Sequence, residues 1–158
     1  MGISRYTASA DNTIVSAYQL NLETRGTGAN AGAADVLETF SIYGRVTTSS
    51  QELSRILIKF PVSNITADRT AGTLPVSGNV DFYLRLFNAK HSRTVPIDYK
   101  LRVSTIVSGW EEGVGLDLEG YKDLVQGNIG SDWEQSKKGY YWASSGGDYN
   151  DASEYGYD

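Results

Sequence analysis

VDFYLRLFNAKHSRTVPIDYKLRVSTIVSGWEEGVG, residues Val80–Gly115, is the stretch whose reading decides the fold. Val80, Phe82, Leu84 and Leu86 alternate with Asp81, Tyr83 and Arg85; Tyr99, Leu101, Val103, Thr105 and Val107 alternate with Lys100, Arg102 and Ser104. Successive side chains of a strand point to opposite faces, so a period of two marks half-buried antiparallel sheet. The spacing predicts two strands here, with Phe82, Leu84, Leu86, Leu101 and Val103 in the core. A polar hinge carrying the chain's one histidine, His91, joins them, and Trp110-Glu111-Glu112-Gly113 closes the stretch.

Upstream, further strands are expected at Thr13–Tyr18, Asp35–Tyr43 and Leu53–Phe60, the last turning Ile56, Ile58 and Phe60 inward. Asn21–Ala34, with RGTGANAGAA, has no periodicity and reads as a surface loop. Residues 62–65 suit one helical turn, and 66–79 a loop. Only Glu111–Gln126 has room for a further short helix, weakened by Gly113, Gly115 and Gly120. Short strands with long connections predict an all-β fold, a jelly-roll-like antiparallel β-sandwich with long loops and an extended C-terminal tail. The sandwich is expected over residues 1–126.

Residues 127–158 differ in kind. They are rich in Gly, Ser, Asp and Tyr and show no alternating apolar run, so no strand is expected there. They nevertheless hold Trp133, Tyr140, Tyr141, Trp142, Tyr149, Tyr155 and Tyr157, whereas disordered tails are poor in aromatics. Aromatics on a Gly/Ser backbone supply contact area at low rotamer cost, as at interfaces. These seven side chains are the expected partner-binding residues, docking on another chain in preference to folding back.

At 158 residues, with 40% hydrophobic and 21% charged residues, the chain suits one soluble globular domain. A net charge of -5 argues against a nucleic-acid groove, which needs clustered Lys and Arg. No apolar run approaches the ~20 residues of a membrane span, and no secretory signal is visible at the start. The absence of Cys excludes disulfides, thiolate metal sites and a Cys nucleophile.

The order Ala10-Asp11-Asn12-Thr13-Ile14, then Ser54–Phe60 with Ser63 and Ile65, then Leu84-Arg85-Leu86, then Val107-x-x-Trp110-Glu111-Glu112-Gly113 resembles the DNRLRE-type β-sandwich, over roughly residues 10–115. The segments ETRGTGAN, ELSRILIKFPVSNI, FYLRLFNAKHSRTVPIDYKL and SGWEEGVGLDLEGYKDL are similar to structural proteins of tailed bacteriophages, particularly those of marine cyanobacteria. The resemblance implies a virion component without catalysis or cofactor, made in the host bacterial cytoplasm and assembled into capsid, neck or tail. Its partners would be other virion proteins and copies of itself. DNRLRE-type domains continue past the Trp-Glu segment into closing strands, which the Tyr/Gly-rich tail replaces. An open sheet edge inviting a neighbour's strand is therefore expected. Since DNRLRE-type relatives include carbohydrate binders, recognition of host surface glycan is the alternative.

Other candidates have plainer readings. His91 lies in a loop without a Gly-x-Ser-x-Gly elbow or similar context, so a hydrogen-bonded loop histidine is expected, not a catalytic base. Glu111, Glu112, Asp117, Glu119 and Asp123 could pair across a sugar or hold Ca²⁺, but their spacing matches no EF-hand. A solvated loop or inter-subunit contact is the expectation, with no metal site. Trp110 reads as a core or edge anchor, with sugar stacking the other option. Arg25-Gly26-Thr27-Gly28 lacks the ending of a phosphate loop and reads as a flexible loop.

Overall fold

The computed structural model describes residues 2–75, 79–90, 92, 98–116, 118–122 and 129–155, and only the backbone of Glu119 and residues 151–155. Among them seven strands dominate over one α-helix, in three small sheets, none closed. The fold is sheet-based. The chain divides into two compact units, Met1–Ala10 with Ile58–Thr94, and Asp11–Leu57 with Val95–Asp158.

The larger unit is built around β1 (Ala10–Ser16). Asn12, Thr13, Ile14 and Val15 are all sealed from solvent, so this strand is covered on both faces. Its polar members are paired, as burial demands. Asn12 Nδ2 donates to the carbonyl and hydroxyl oxygens of Ser131, both at 2.9 Å, and Thr13 Oγ1 accepts from Glu38 N at 3.2 Å. β1, β3 (Gln51–Lys59) and β2 (Ser41–Tyr43) form one sheet in the order β1-β3-β2. β2 and β3 are antiparallel, with Ile42 opposite Glu52. Gly44, at φ +70°, opens their connection, and the Ser50 hydroxyl accepts from the Val46 and Thr47 amides.

The expected burial along β3 is corrected. Glu52, Ser54 and Leu57 are buried while Ile56, Ile58 and Phe60 are half-buried. The polar pair is held by backbone partners: Ser54 Oγ accepts from Phe40 N at 2.7 Å, and Glu52 Oε2 accepts from Tyr18 N at 2.7 Å.

Residues 25–34 are corrected from a surface loop to core. Ala29, Asn30 and Ala31 are buried, bridged to β1 at Ile14–Asn30, and Ala31 N donates to Thr13 O at 3.0 Å. Val15, Ala29, Ala31 and Leu118 form the apolar cluster, with Ala34, Phe40 and Tyr121 against it. The small side chains let backbones meet. A Cβ at Gly115 would overlap the Asn30 carbonyl oxygen, and Asn30 Oδ1 accepts from the Gly115 amide at 3.1 Å. The expected helix at 111–126 reduces, among the described residues, to one 3₁₀ turn, Glu119–Tyr121.

The smaller unit carries α1 (Val62–Thr70), longer than the single turn expected. Pro61 precedes it, and Gly72 at φ +74° ends it, the Thr73 and Leu74 amides closing on the Asp68 carbonyl. Tyr6 OH donates to Asp68 Oδ2 at 2.5 Å. The strand expected at 80–86 is not formed, and Phe82, Leu84 and Leu86 are exposed instead of buried. Of the strand expected from Tyr99 to Val107, only β4 (Val103–Ile106) forms, and Leu101 and Val103 are also exposed. A period of two shows that a segment can lie in a sheet; it does not supply the strand beside it.

Candidate functional site

The C-terminal segment, expected to lack strands, contributes three. β7 (Tyr149–Tyr155) pairs antiparallel with β4, Ile106 opposite Tyr149 and Thr105 opposite Asn150, with a bulge before Val103–Tyr155. The Val107 amide extends the pairing to Asp148 O at 2.9 Å. β5 (Gln135–Lys137) and β6 (Tyr140–Tyr141) form a hairpin turned at Lys138-Gly139, where Gly139 takes φ +79° and donates to Gln135 Oε1 at 2.7 Å.

The seven aromatics expected to bind a partner separate by environment. Trp133 and Trp142 are buried in their own chain. Trp142 Nε1 donates to Asp132 O at 2.9 Å, while Asp132 Oδ1 accepts from the Glu134 and Gln135 amides and fixes the turn into β5. The Arg55 guanidinium stands 4.9 Å from the Trp133 ring and 4.8 Å from Tyr149, and donates to Gly146 O at 2.6 Å. A cation between two π-faces, hydrogen-bonded besides, pins these rings. The hairpin leaves Tyr140 62% and Tyr141 73% exposed, with Lys137 Nζ 4.4 Å from the Tyr140 ring. Neighbouring strand residues face opposite ways, so the two phenols flank the hairpin. Tyr149, at the start of β7, is exposed; the Tyr155 side chain and Tyr157 lie outside the described residues.

Two open hollows lie in the larger unit. One, of about 450 Å³, is bordered by Val107, Ser108, Ser144, Asp148 and Tyr149. The Ser108 hydroxyl donates to Asp148 Oδ2 at 2.7 Å and the Ser144 amide to Oδ1 at 2.9 Å, which hold the Asp148 carboxyl below its usual pKa. The other, of about 640 Å³, is lined by Leu20, Val36, Glu38, Arg45, Leu116 and Tyr121 among others. Tyr121 sits at φ +50°, and burial raises its phenol pKa against the lowering pull of Arg45. Arg45 Nη1 donates at 3.0 Å to Glu52 Oε2, whose carboxylate is fully buried with Oε1 unpartnered. This pair, a buried acid with a partly exposed arginine, is not among the residues singled out from the sequence. Its only sequence signal is an acid next to the apolar β3 pattern.

Of the acidic group, Glu111 and Glu112 are exposed, and Glu112 Oε1 accepts from the Asp11 amide at 2.8 Å. Burial, and then the Glu112 charge, raise the Asp11 carboxyl pKa. Asp117, Asp123, the Glu119 side chain and His91 lie outside the described residues. Among the described residues no three His, Asp or Glu side chains converge as a metal site, and no helix is long and apolar enough to cross a membrane. Trp110 is buried and offers no platform to a sugar. Arg25 is fixed rather than loose: it stacks 4.4 Å from the Tyr18 ring and donates to Ser16 Oγ at 2.8 Å and Gln51 O at 3.0 Å. Comparison with protein-family models, with curated proteins and with solved structures finds no match to this chain.

Proposed function

We propose that the chain is a non-enzymatic structural component of a tailed-phage virion, a capsid, neck or tail accessory protein that assembles through protein–protein contacts. The carrying observation is the set of large apolar side chains left in solvent: Phe82, Tyr83, Leu84, Leu86, Phe87, Tyr140 and Tyr141 are all exposed. Surface of this kind is normally covered by a partner. The motif order that resembles DNRLRE-type and phage structural proteins supports the same reading. On it, the three small sheets are portions of a jelly-roll-like antiparallel sandwich whose open edges neighbours complete, and the protein, made in the host cytoplasm, ends in the particle.

The test is the composition of purified particles. Mass spectrometry should find the chain in stoichiometric amount, and electron microscopy should place it at repeated positions. Its absence from washed particles would overturn the proposal. If isolated protein binds a glycan array while particles lack it, the carbohydrate-binding alternative takes its place, through Tyr140, Tyr141 or Tyr149 and not Trp110.

A further inference from the structure

We infer that Val80–Leu86 is the self-association strand of this protein, pairing antiparallel with the same segment of a second copy about a two-fold axis at Tyr83. In its own chain the segment forms no strand, and no backbone hydrogen bond joins Val80–Lys90 to another described residue. Phe82 is 59% exposed, Tyr83 81% and Phe87 77%, with Leu84 and Leu86 also in solvent. The geometry already follows the strand period: the Arg85 guanidinium stands 4.7 Å from the Phe87 ring, two residues on, as side chains sharing one strand face do. Phe82 touches α1 of its own unit, 5.9 Å from the Arg69 guanidinium. The partner therefore enters by the edge, through main-chain pairing, as in strand addition.

The sequence chooses the partner and the register. Residues directly opposite in an antiparallel pair share a face, so apolar positions meet only if the numbers of paired residues sum to an even value. With Tyr83 opposite Tyr83, Asp81 of each copy meets Arg85 of the other, Phe82 meets Leu84, and Val80 meets Leu86. Sliding the pair by two sets Asp81 against Tyr83 or against Phe87 and leaves both charges unmatched. A slide by one sets Phe82 against Arg85 or against Tyr83 and mixes the faces. One register therefore satisfies charge, apolar and aromatic pairs together, and the two-fold axis makes each pair twice. A self-complementary patch is what an isologous dimer requires. Nothing in it depends on a virion role, which is read from particle composition and can fail separately.

The experiment is sedimentation velocity on the full chain over a range of concentrations. Dimer is expected. Arg85→Asp places two like-charge pairs at the contact and should weaken association about tenfold or more. Asp81→Arg combined with Arg85→Asp exchanges the charges and should restore it, with unchanged circular dichroism in all three proteins. Because the chain has no Cys, Tyr83→Cys can be oxidised only to a link between copies, and it should cross-link much faster than Tyr99→Cys, also at an exposed tyrosine. A monomer at the highest concentration, a charge exchange that fails to restore the dimer, or equal cross-linking at the two positions would each overturn the proposal. So would a chain monomeric alone that pairs this strip only with another protein.

Discussion

Two stretches of this protein reverse what their sequences advertise. Residues 25–34, without periodicity and rich in Gly and Ala, are stitched to β1 and hold buried Ala29, Asn30 and Ala31. Val80–Leu86, with unbroken alternation, forms no strand, and all of it but half-buried Val80 stands in solvent. Periodicity measures fitness for one covered face; burial needs something to do the covering. Small residues leave no apolar signature, yet they let main chains approach until a Cβ would collide, and there the backbone itself is the packing surface.

The contrast can be broken most forcefully at Ile14, which has no exposed surface. Ile14→Ala should cost about 3 kcal/mol in denaturant unfolding of the larger unit. Gly115→Ala tests the glycine side directly. Its Cβ falls on the Asn30 carbonyl, so destabilisation of about 2 kcal/mol is expected from a single methyl group, and a neutral result would mean the contact is not tight.

Acid offers a milder lever on the β4–β7 junction. The folded Asp148 carboxyl lies below its ordinary pKa, so its contribution is complete above about pH 4 and is lost as pH falls through the folded value. Ser108→Ala should move that titration upward, as followed by the Asp148 carboxyl resonance. Asp11 has the opposite sign. Its folded pKa is raised by burial and by Glu112, so it weakens the fold at neutral pH, and the penalty fades as pH falls. Asp11→Asn should stabilise slightly at pH 7 and by less in acid, as denaturant unfolding at the two pH values would show. The smallest effect sharpens the contrast most: at concentrations too low for association, Phe82→Ala should change stability by less than about 0.5 kcal/mol, because most of that ring is exposed in the single chain.

The sheet character of the fold was legible, and so were two strands. Ile14 and Val15, and all of the expected strand Leu53–Phe60 but its last residue, fall in β1 and β3. The distribution of burial along β3 was not, because Glu52 and Ser54, on the same side as Ile56 and Ile58, are held inward by hydrogen bonds from Tyr18 and Phe40, partners distant in sequence. The length of α1 was available from Pro61 at one end and Gly72 at the other, although its interior has no apolar stripe. In the aromatic segment, composition marked the residues but could not sort them. Trp133 is inside because Arg55, far away in the chain, meets its ring; Tyr140 is outside because a two-residue turn lifts it there.

The placement of the tryptophans gives the two units separate optical signatures. Trp110, Trp133 and Trp142 all belong to the larger unit and are buried, whereas the smaller unit has no Trp and holds the α-helix of the described residues. Tryptophan emission therefore follows melting of one body and helical ellipticity that of the other. A heating or denaturant series recorded with both probes will show whether the two units lose structure together or in sequence.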